Sequence, residues 1–162
     1  MIDLEDIDID EEGALTATAL LPGERHVTVE FAVDDEDLDV EEADDGGDED
    51  GDGGGDEERD QSAPDVDRMR GVIEHALARL TEEVLDAREH EVIAELTAAA
   101  YGDDEDSVDQ EAVLAADIAL DGVLVFADGV IVLLYLAPEQ YPGSTIRCQL
   151  DDDLDLDDLE VD

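Results

Sequence analysis

Asp48, Asp50, Asp52 and Gly53 reproduce the opening spacing of an EF-hand loop. In such a loop alternating oxygens wrap a Ca²⁺ ion and the glycine makes the sharp turn. The twelfth position should supply a bidentate Glu and is Arg59, so the tract reads as a solvated linker. His26, His75 and His90 lie fifteen or more residues apart. None has a second His or Cys at ligand spacing, and a zinc site would require the fold to gather them. His75 and His90 read instead as helix-surface residues. The single cysteine, Cys148, sits in an alternating apolar run and reads as a small buried hydrophobe rather than a nucleophile. Ser62, Ser107 and Ser144 occupy cap or loop contexts, none in a G-x-S-x-G elbow. With 53 acids in the chain, a carboxylate pair carries no information. Glu30 and Asp121 are the acids most embedded in strand, and they read as outward-facing. The glycines at 51–55 lack the following Lys and preceding strand of a phosphate loop. No catalytic residue, cofactor or metal is assigned.

Tyr135, Tyr141, Pro142 and Arg147 stand out differently. Aromatic and arginine side chains are scarce here and are the types that anchor interfaces. Tyr141, in a loop, and Arg147, on the polar side of a strand, are the candidate partner contacts. The plainer reading packs the loop on the sheet rim and pairs Arg147 with neighbouring acids.

The elements that would position these residues follow from periodicity. His26–Val33 alternates, placing Val27, Val29, Phe31 and Val33 on one face. Ala14–Leu21 reads as its hairpin partner across Pro22-Gly23-Glu24-Arg25. Met1–Asp10 alternates through Ile2, Leu4, Ile7 and Ile9 and reads as a charged edge strand. A helix follows, with Ser62 as N-cap and Pro64 in the first turn. Met69, Val72, Ile73, Ala76, Leu77, Leu80 and Val84 keep helical spacing, and Gly102 is placed to stop it. A single rod over 64–101 would be about 57 Å long, so a break near 86–90 is the alternative. Ser107–Gln110 has capping-box spacing and predicts a short helix through Ala116. Strands Ile118–Phe126 and Val130–Leu136 flank Ala127-Asp128-Gly129, where Asp-Gly predicts a type I′ hairpin. The second of these is almost continuously apolar and is expected to be central and covered on both faces. In Thr145–Leu150, Ile146, Cys148 and Leu150 should face inward, with Thr145, Arg147 and Gln149 outward. Leu154–Val161 reads as a last edge strand.

The predicted fold class is α+β. The expectation is a mostly antiparallel, hairpin-built sheet with one long or two shorter helices packed on one face. Residues 1–40 form an N-terminal β-hairpin region and 41–62 an acidic Gly/Asp linker or loop. Residues 63–162 form a helix-hairpin region that completes one domain. The stretch 41–60 holds twelve acids and six glycines, a composition that leaves nothing to bury.

Charge sets the environment. The chain carries 53 Asp plus Glu against seven basic residues, all arginine, for a formal net charge of −46. Hydrophobic residues make up 43%, too many for a disordered acidic tail. In dilute buffer such charge opposes compaction. In concentrated salt the Debye length falls to about 3 Å and the repulsion is screened. The composition, with Asp favoured and lysine absent, resembles that of haloarchaea that accumulate KCl. This implies a soluble cytoplasmic protein whose carboxylates hold hydrated K⁺ or Na⁺. Acid occurs in every segment, which favours a coat over a DNA-mimicking ridge, a Ca²⁺ buffer or a histone-chaperone-like tail. Direct nucleic-acid binding is not expected, for want of a basic patch. The acidic first ten residues do not read as a signal peptide, and Val130–Ala137 is too short to span a bilayer. A partner, where there is one, is another protein.

The second half, through Leu120–Val125, Asp128-Gly129, Val130–Tyr135 and Ile146–Leu150, resembles a bacterial family of small proteins of unknown function. Members are suspected of immunity roles beside toxin systems. The resemblance covers roughly 65–162, more loosely 14–33. It implies an N-terminal hairpin, a long helix, a short helix, the Asp-Gly hairpin and a strand ending in acids. It carries no catalytic residues across. The acidic insertion at 41–60 and the missing N-terminal aromatics depart from the pattern. The resulting expectation is a non-catalytic binding or regulatory protein. The alternatives are a toxin-immunity or DNA-mimic inhibitor, and a small enzyme with an unrecognised carboxylate site.

Overall fold

Leu15, Ala17, Ala19 and Leu21 of β2 (Leu15–Leu21) and Val27, Val29 and Phe31 of β3 (Arg25–Ala32) are apolar and buried, which is how a period-two strand presents one face to a core. The computed structural model describes residues 2–11, 13–32, 65–102 and 105–162. Ser62, the acidic 41–62 tract and the EF-hand-like Asp48, Asp50, Asp52, Gly53 and Arg59 lie outside them. Among the described residues seven strands form one sheet in sequence order: β1 (Leu4–Ile9), β2, β3, β4 (Ala119–Phe126), β5 (Ile131–Leu136), β6 (Thr145–Leu150) and β7 (Leu156–Val161). All pairings are antiparallel except β3–β4, where Val29 lies beside Val123 and Phe31 beside Val125. A parallel pair needs a long crossover. Helices α1 (Val66–Arg79), α2 (Glu82–Tyr101) and α3 (Ser107–Asp117) lie in that crossover. The class is therefore α+β, with a larger sheet and shorter helices than expected.

The long helical pattern breaks at Leu80–Thr81, not at 86–90. Leu80 leaves helical geometry (ψ 85°), and the Thr81 side chain accepts from the Val84 N–H at 3.3 Å, starting α2 with Glu82 and Glu83 in its first turn. Acids there suit the positive end of the helix dipole. α1 likewise starts later than expected, at Val66, capped by Asp65 accepting from the Arg68 N–H at 3.1 Å. Gly102 ends α2 at φ 62°, as its position implied. α3 begins at Ser107 behind Asp106, without a side-chain cap bond, so the capping box is not made.

The Asp-Gly hairpin forms, but not as type I′. Only Gly129 (φ 89°) has positive φ among residues 127–129; its N–H bonds the Phe126 carbonyl at 2.9 Å, while Phe126 N bonds Val130 O at 3.0 Å. That is a three-residue loop in which glycine takes the left-handed position after an ordinary turn. In β1 a bulge between Glu5 and Asp8, with Asp6 at φ 49°, shifts the register and leaves Ile7 exposed.

One cluster of buried residues draws on all three helices and on the sheet. Met69, Ile73, Ala76 and Leu77 of α1 recur at helical spacing, and Leu85, Val92, Ile93 and Leu96 of α2 join them. The sheet contributes Leu15, Val29, Val123, Leu133 and Cys148, among others. Thr97 is buried among the described residues, and its hydroxyl donates to the Ile93 carbonyl at 2.8 Å. No described charged residue is buried.

Candidate functional site

Three places in the fold gather side chains that could do chemistry. The first lies between β5, β6 and α2. Cys148 packs opposite Leu133, fully buried. Burial pushes its thiol from 9.0 up to about 12, with Arg88 opposing and Glu91 reinforcing. Such a thiol stays protonated at neutral pH and packs rather than attacks. Burial also raises the Tyr135 hydroxyl well above the usual tyrosine range. That hydroxyl and Arg88 Nε are buried without a hydrogen-bond partner among the described residues. Above them run two ion-pair ties. Arg25, at the start of β3, bonds Asp86 and Glu89 of α2 at 2.7 Å each, and Arg88 reaches Glu91 at 2.8 Å and Asp155 at 3.3 Å. Partial burial would lower the Arg25 pKa, but the hydrogen bond and charge of Glu89, with Asp86, outweigh it and the net shift is upward. These pairs tie α2 to the start of β3 and to the turn before β7.

The second place is the sheet's other face. Strand register lines up two rows of side chains there. One runs Thr16, Glu30, Leu124, Val132, Gln149, Asp158; the other Thr18, Thr28, Gly122, Leu134, Arg147, Glu160. The middle of both rows is apolar. Val132 is 6% exposed yet stands outside the core cluster, and Leu124, Phe126 and Leu134 are half-buried beside the exposed Leu136. Gly122 makes room for this band: a Cβ there would lie 3.1 Å from the Thr28 carbonyl oxygen and 3.4 Å from the Leu134 side chain. Glu30, Asp158 and Glu160 flank the band. Arg147 and Gln149 edge a shallow pit of about 110 Å³ with Leu124, Phe126 and Val132. Arg147 pairs with Asp162 at 3.4 Å and stays half-exposed.

The third is a cleft of about 460 Å³ between α1 and the β4–β5 turn. Arg68, Val72, His75 and Arg79 line one wall; Ala127, Asp128, Gly129 and Asp152 line the other. The spacing i, i+4, i+7, i+11 sets the first four on one helical stripe. That stripe was legible in the sequence but was hidden by the core stripe of the same helix.

The structure separates the two expected partner contacts. Tyr141 packs against the core and lines a cavity of about 200 Å³ with Leu96, Tyr101 and Leu114, whereas Arg147 belongs to the other face of the sheet. Asp117 holds the Tyr141 loop by accepting from the N–H groups of Glu139 and Gln140 at 2.9 Å. Tyr135 is wholly buried. The histidines stay apart: His26 is exposed on β3, His75 lines the α1 cleft, and His90 contacts the Asp86 carbonyl at 2.8 Å. No group of three potential metal ligands occurs among the described residues, and no described helix is long and apolar enough to cross a membrane. Comparison with protein-family models, curated proteins and solved structures finds no match.

Proposed function

We propose that this chain is a non-catalytic protein-binding component of a salt-rich cytoplasm, and that its partner docks on the sheet face around Arg147. The observation that carries the reading is the apolar band of Leu124, Phe126, Val132, Leu134 and Leu136, ringed by acids and pierced by one arginine. In this reading the helices form a single layer over the opposite face, which leaves the band for an external surface. Apolar centres with a charged rim suit protein recognition. The acidic rim selects a partner with an apolar ridge and basic margins. Arg147, half-exposed on a polar contact with Asp162, is placed to anchor it. The resemblance to small α+β proteins with suspected immunity roles fits this reading, since such a protein acts by occupying another.

Exposed carboxylates on β1, β3, β4, β7 and all three helices support the salt part of the proposal, with hydrated K⁺ or Na⁺ as the companions of the surface. They weigh against a DNA mimic, which needs its acids along one ridge.

Affinity capture in about 3 M KCl tests the docking reading with the wild type beside Phe126→Ser and Arg147→Glu. A protein retained by the wild type and lost from both variants is expected. An unchanged capture profile would overturn the docking face. Circular dichroism tests the salt reading separately. A chain equally folded and equally heat-resistant in about 50 mM and about 3 M KCl would remove it.

A further inference from the structure

The described chain has six arginines, and four of them (Arg25, Arg70, Arg88 and Arg147) form ion pairs with carboxylates. The two that form none among the described residues, Arg68 and Arg79, line the same cleft. Among the described arginines, a guanidinium without a described carboxylate partner is the exception. Arg79 does donate, but to the backbone carbonyl of Asp152, a neutral acceptor. Arg68 is exposed, and its backbone N–H, not its guanidinium, meets Asp65.

From these positions we infer that the cleft between α1 and the β4–β5 turn binds a small organic oxyanion. Its charged group would sit between His75 and Arg79, one helical turn apart, and its body would lie along α1 toward Arg68. Seven residues of helix separate His75 from Arg68, about 10 Å of rise, which is the length of a small metabolite rather than a bare ion. The floor suits such a body. Gly71, Val72, Ala76 and Ala127 offer small or apolar surface, and a Cβ at Gly71 would meet nothing within 4 Å. Glycine in an exposed helix interior weakens the helix, and no close packing requires it at 71; an open floor accounts for it. The volume of about 460 Å³ lies within the range of ligand pockets. The lining also holds two acids, Asp128, whose carboxylate accepts from the Val130 N–H at 3.0 Å, and Asp152, whose backbone carbonyl accepts from Arg79, so the cationic groups must hold the oxyanion against two carboxylates. This site is separate from the docking face and does not depend on it.

Calorimetric titration of the full chain tests the site, in the lowest KCl at which its circular dichroism stays native. The probes are adenosine 5′-monophosphate, citrate and inorganic phosphate. Saturable binding of the nucleotide or of citrate is expected, and which of them binds distinguishes phosphate from carboxylate as the recognised group. Arg68→Gln should weaken it about tenfold, the factor of one lost charged contact. Gly71→Leu should abolish it by filling the floor while raising the melting temperature, so lost binding cannot be mistaken for lost fold. The inference is overturned if neither organic probe saturates, if inorganic phosphate binds as tightly as both, or if binding survives the two variants.

Discussion

The two faces of the sheet are made from the same strands and obey different rules. On one, Val123, Val125, Ile131, Leu133, Cys148 and Leu150 are all buried and belong to the core cluster. On the other, Leu124, Phe126 and Leu134 alternate with them and are only partly covered, among Glu30, Arg147 and Gln149. Folding alone demands the first face, because removing apolar area from water supplies most of the driving force. It does not demand apolar side chains at 124, 126, 132, 134 and 136. A sheet with one solvated face normally carries polar residues there, as β2 and β3 do with Thr16, Thr18, Thr28 and Glu30. The apolar half of the second face lies outside the core cluster, and the proposed docking role is the one we assign it.

Truncating one leucine from each face tests this difference most directly. Leu133→Ala leaves a cavity among fully buried neighbours and should cost about 2–5 kcal/mol. Leu134→Ala, one residue along, should cost nearer 1 kcal/mol. Chemical denaturation of both variants checks the ratio; equal losses would mean that the second face is as much core as the first.

Alkaline titration separates the faces by chemistry. Cys148 and Tyr135, both on the packed face, hold their protons more tightly folded than unfolded. Below pH 9 the thiol is neutral in both states. Between its ordinary 9.0 and the folded value of about 12, the unfolded chain releases a proton that the folded chain keeps. Stability is thus intact below pH 9 and falls as pH rises through that window. Denaturation midpoints from pH 8 upward should decline, and Cys148→Ala should flatten the decline while lowering the starting stability.

A smaller effect, and one of opposite sign to most substitutions, is expected at Tyr135. Its hydroxyl is buried without a partner, so Tyr135→Phe removes an unsatisfied group and should stabilise the protein by about 1 kcal/mol. A loss on thermal denaturation would reveal a hydrogen bond to that oxygen. Smallest of all should be the effect of Arg147→Gln. An exposed pair such as Arg147–Asp162 contributes less than about 1 kcal/mol, so the melting temperature should barely move even as partner capture is lost.

Much of the architecture could be read before any coordinates. The alternation of Ile146, Cys148 and Leu150 against Thr145, Arg147 and Gln149 gave the inward and outward faces of β6 correctly. Gly102 marked the end of α2, and Asp128-Gly129 marked the hairpin. The break at Leu80–Thr81 was missed because Thr81 with two following glutamates is a cap signal buried inside a continuous apolar rhythm. The spacing of Tyr141 and Arg147 in the chain does not tell that they line different cavities, Tyr141 beside Leu96 and Leu114 and Arg147 beside Leu124 and Phe126. Arg68 and Arg79 were passed over, since nothing local marks an arginine as lacking a carboxylate.

Local order in the chain settled what depends on neighbours a few residues apart: strand periodicity, turns, helix stops and the acidic character of the surface. Such features arise from backbone sterics and from side chains within one or two turns of each other. Only the assembled fold decided that β3 would lie parallel to β4, that Gly122 would lie under Leu134, and that two arginines eleven positions apart would face the turn at Gly129. Those depend on contacts between segments far apart in the chain, where register and packing select one partner among many that local pattern permits.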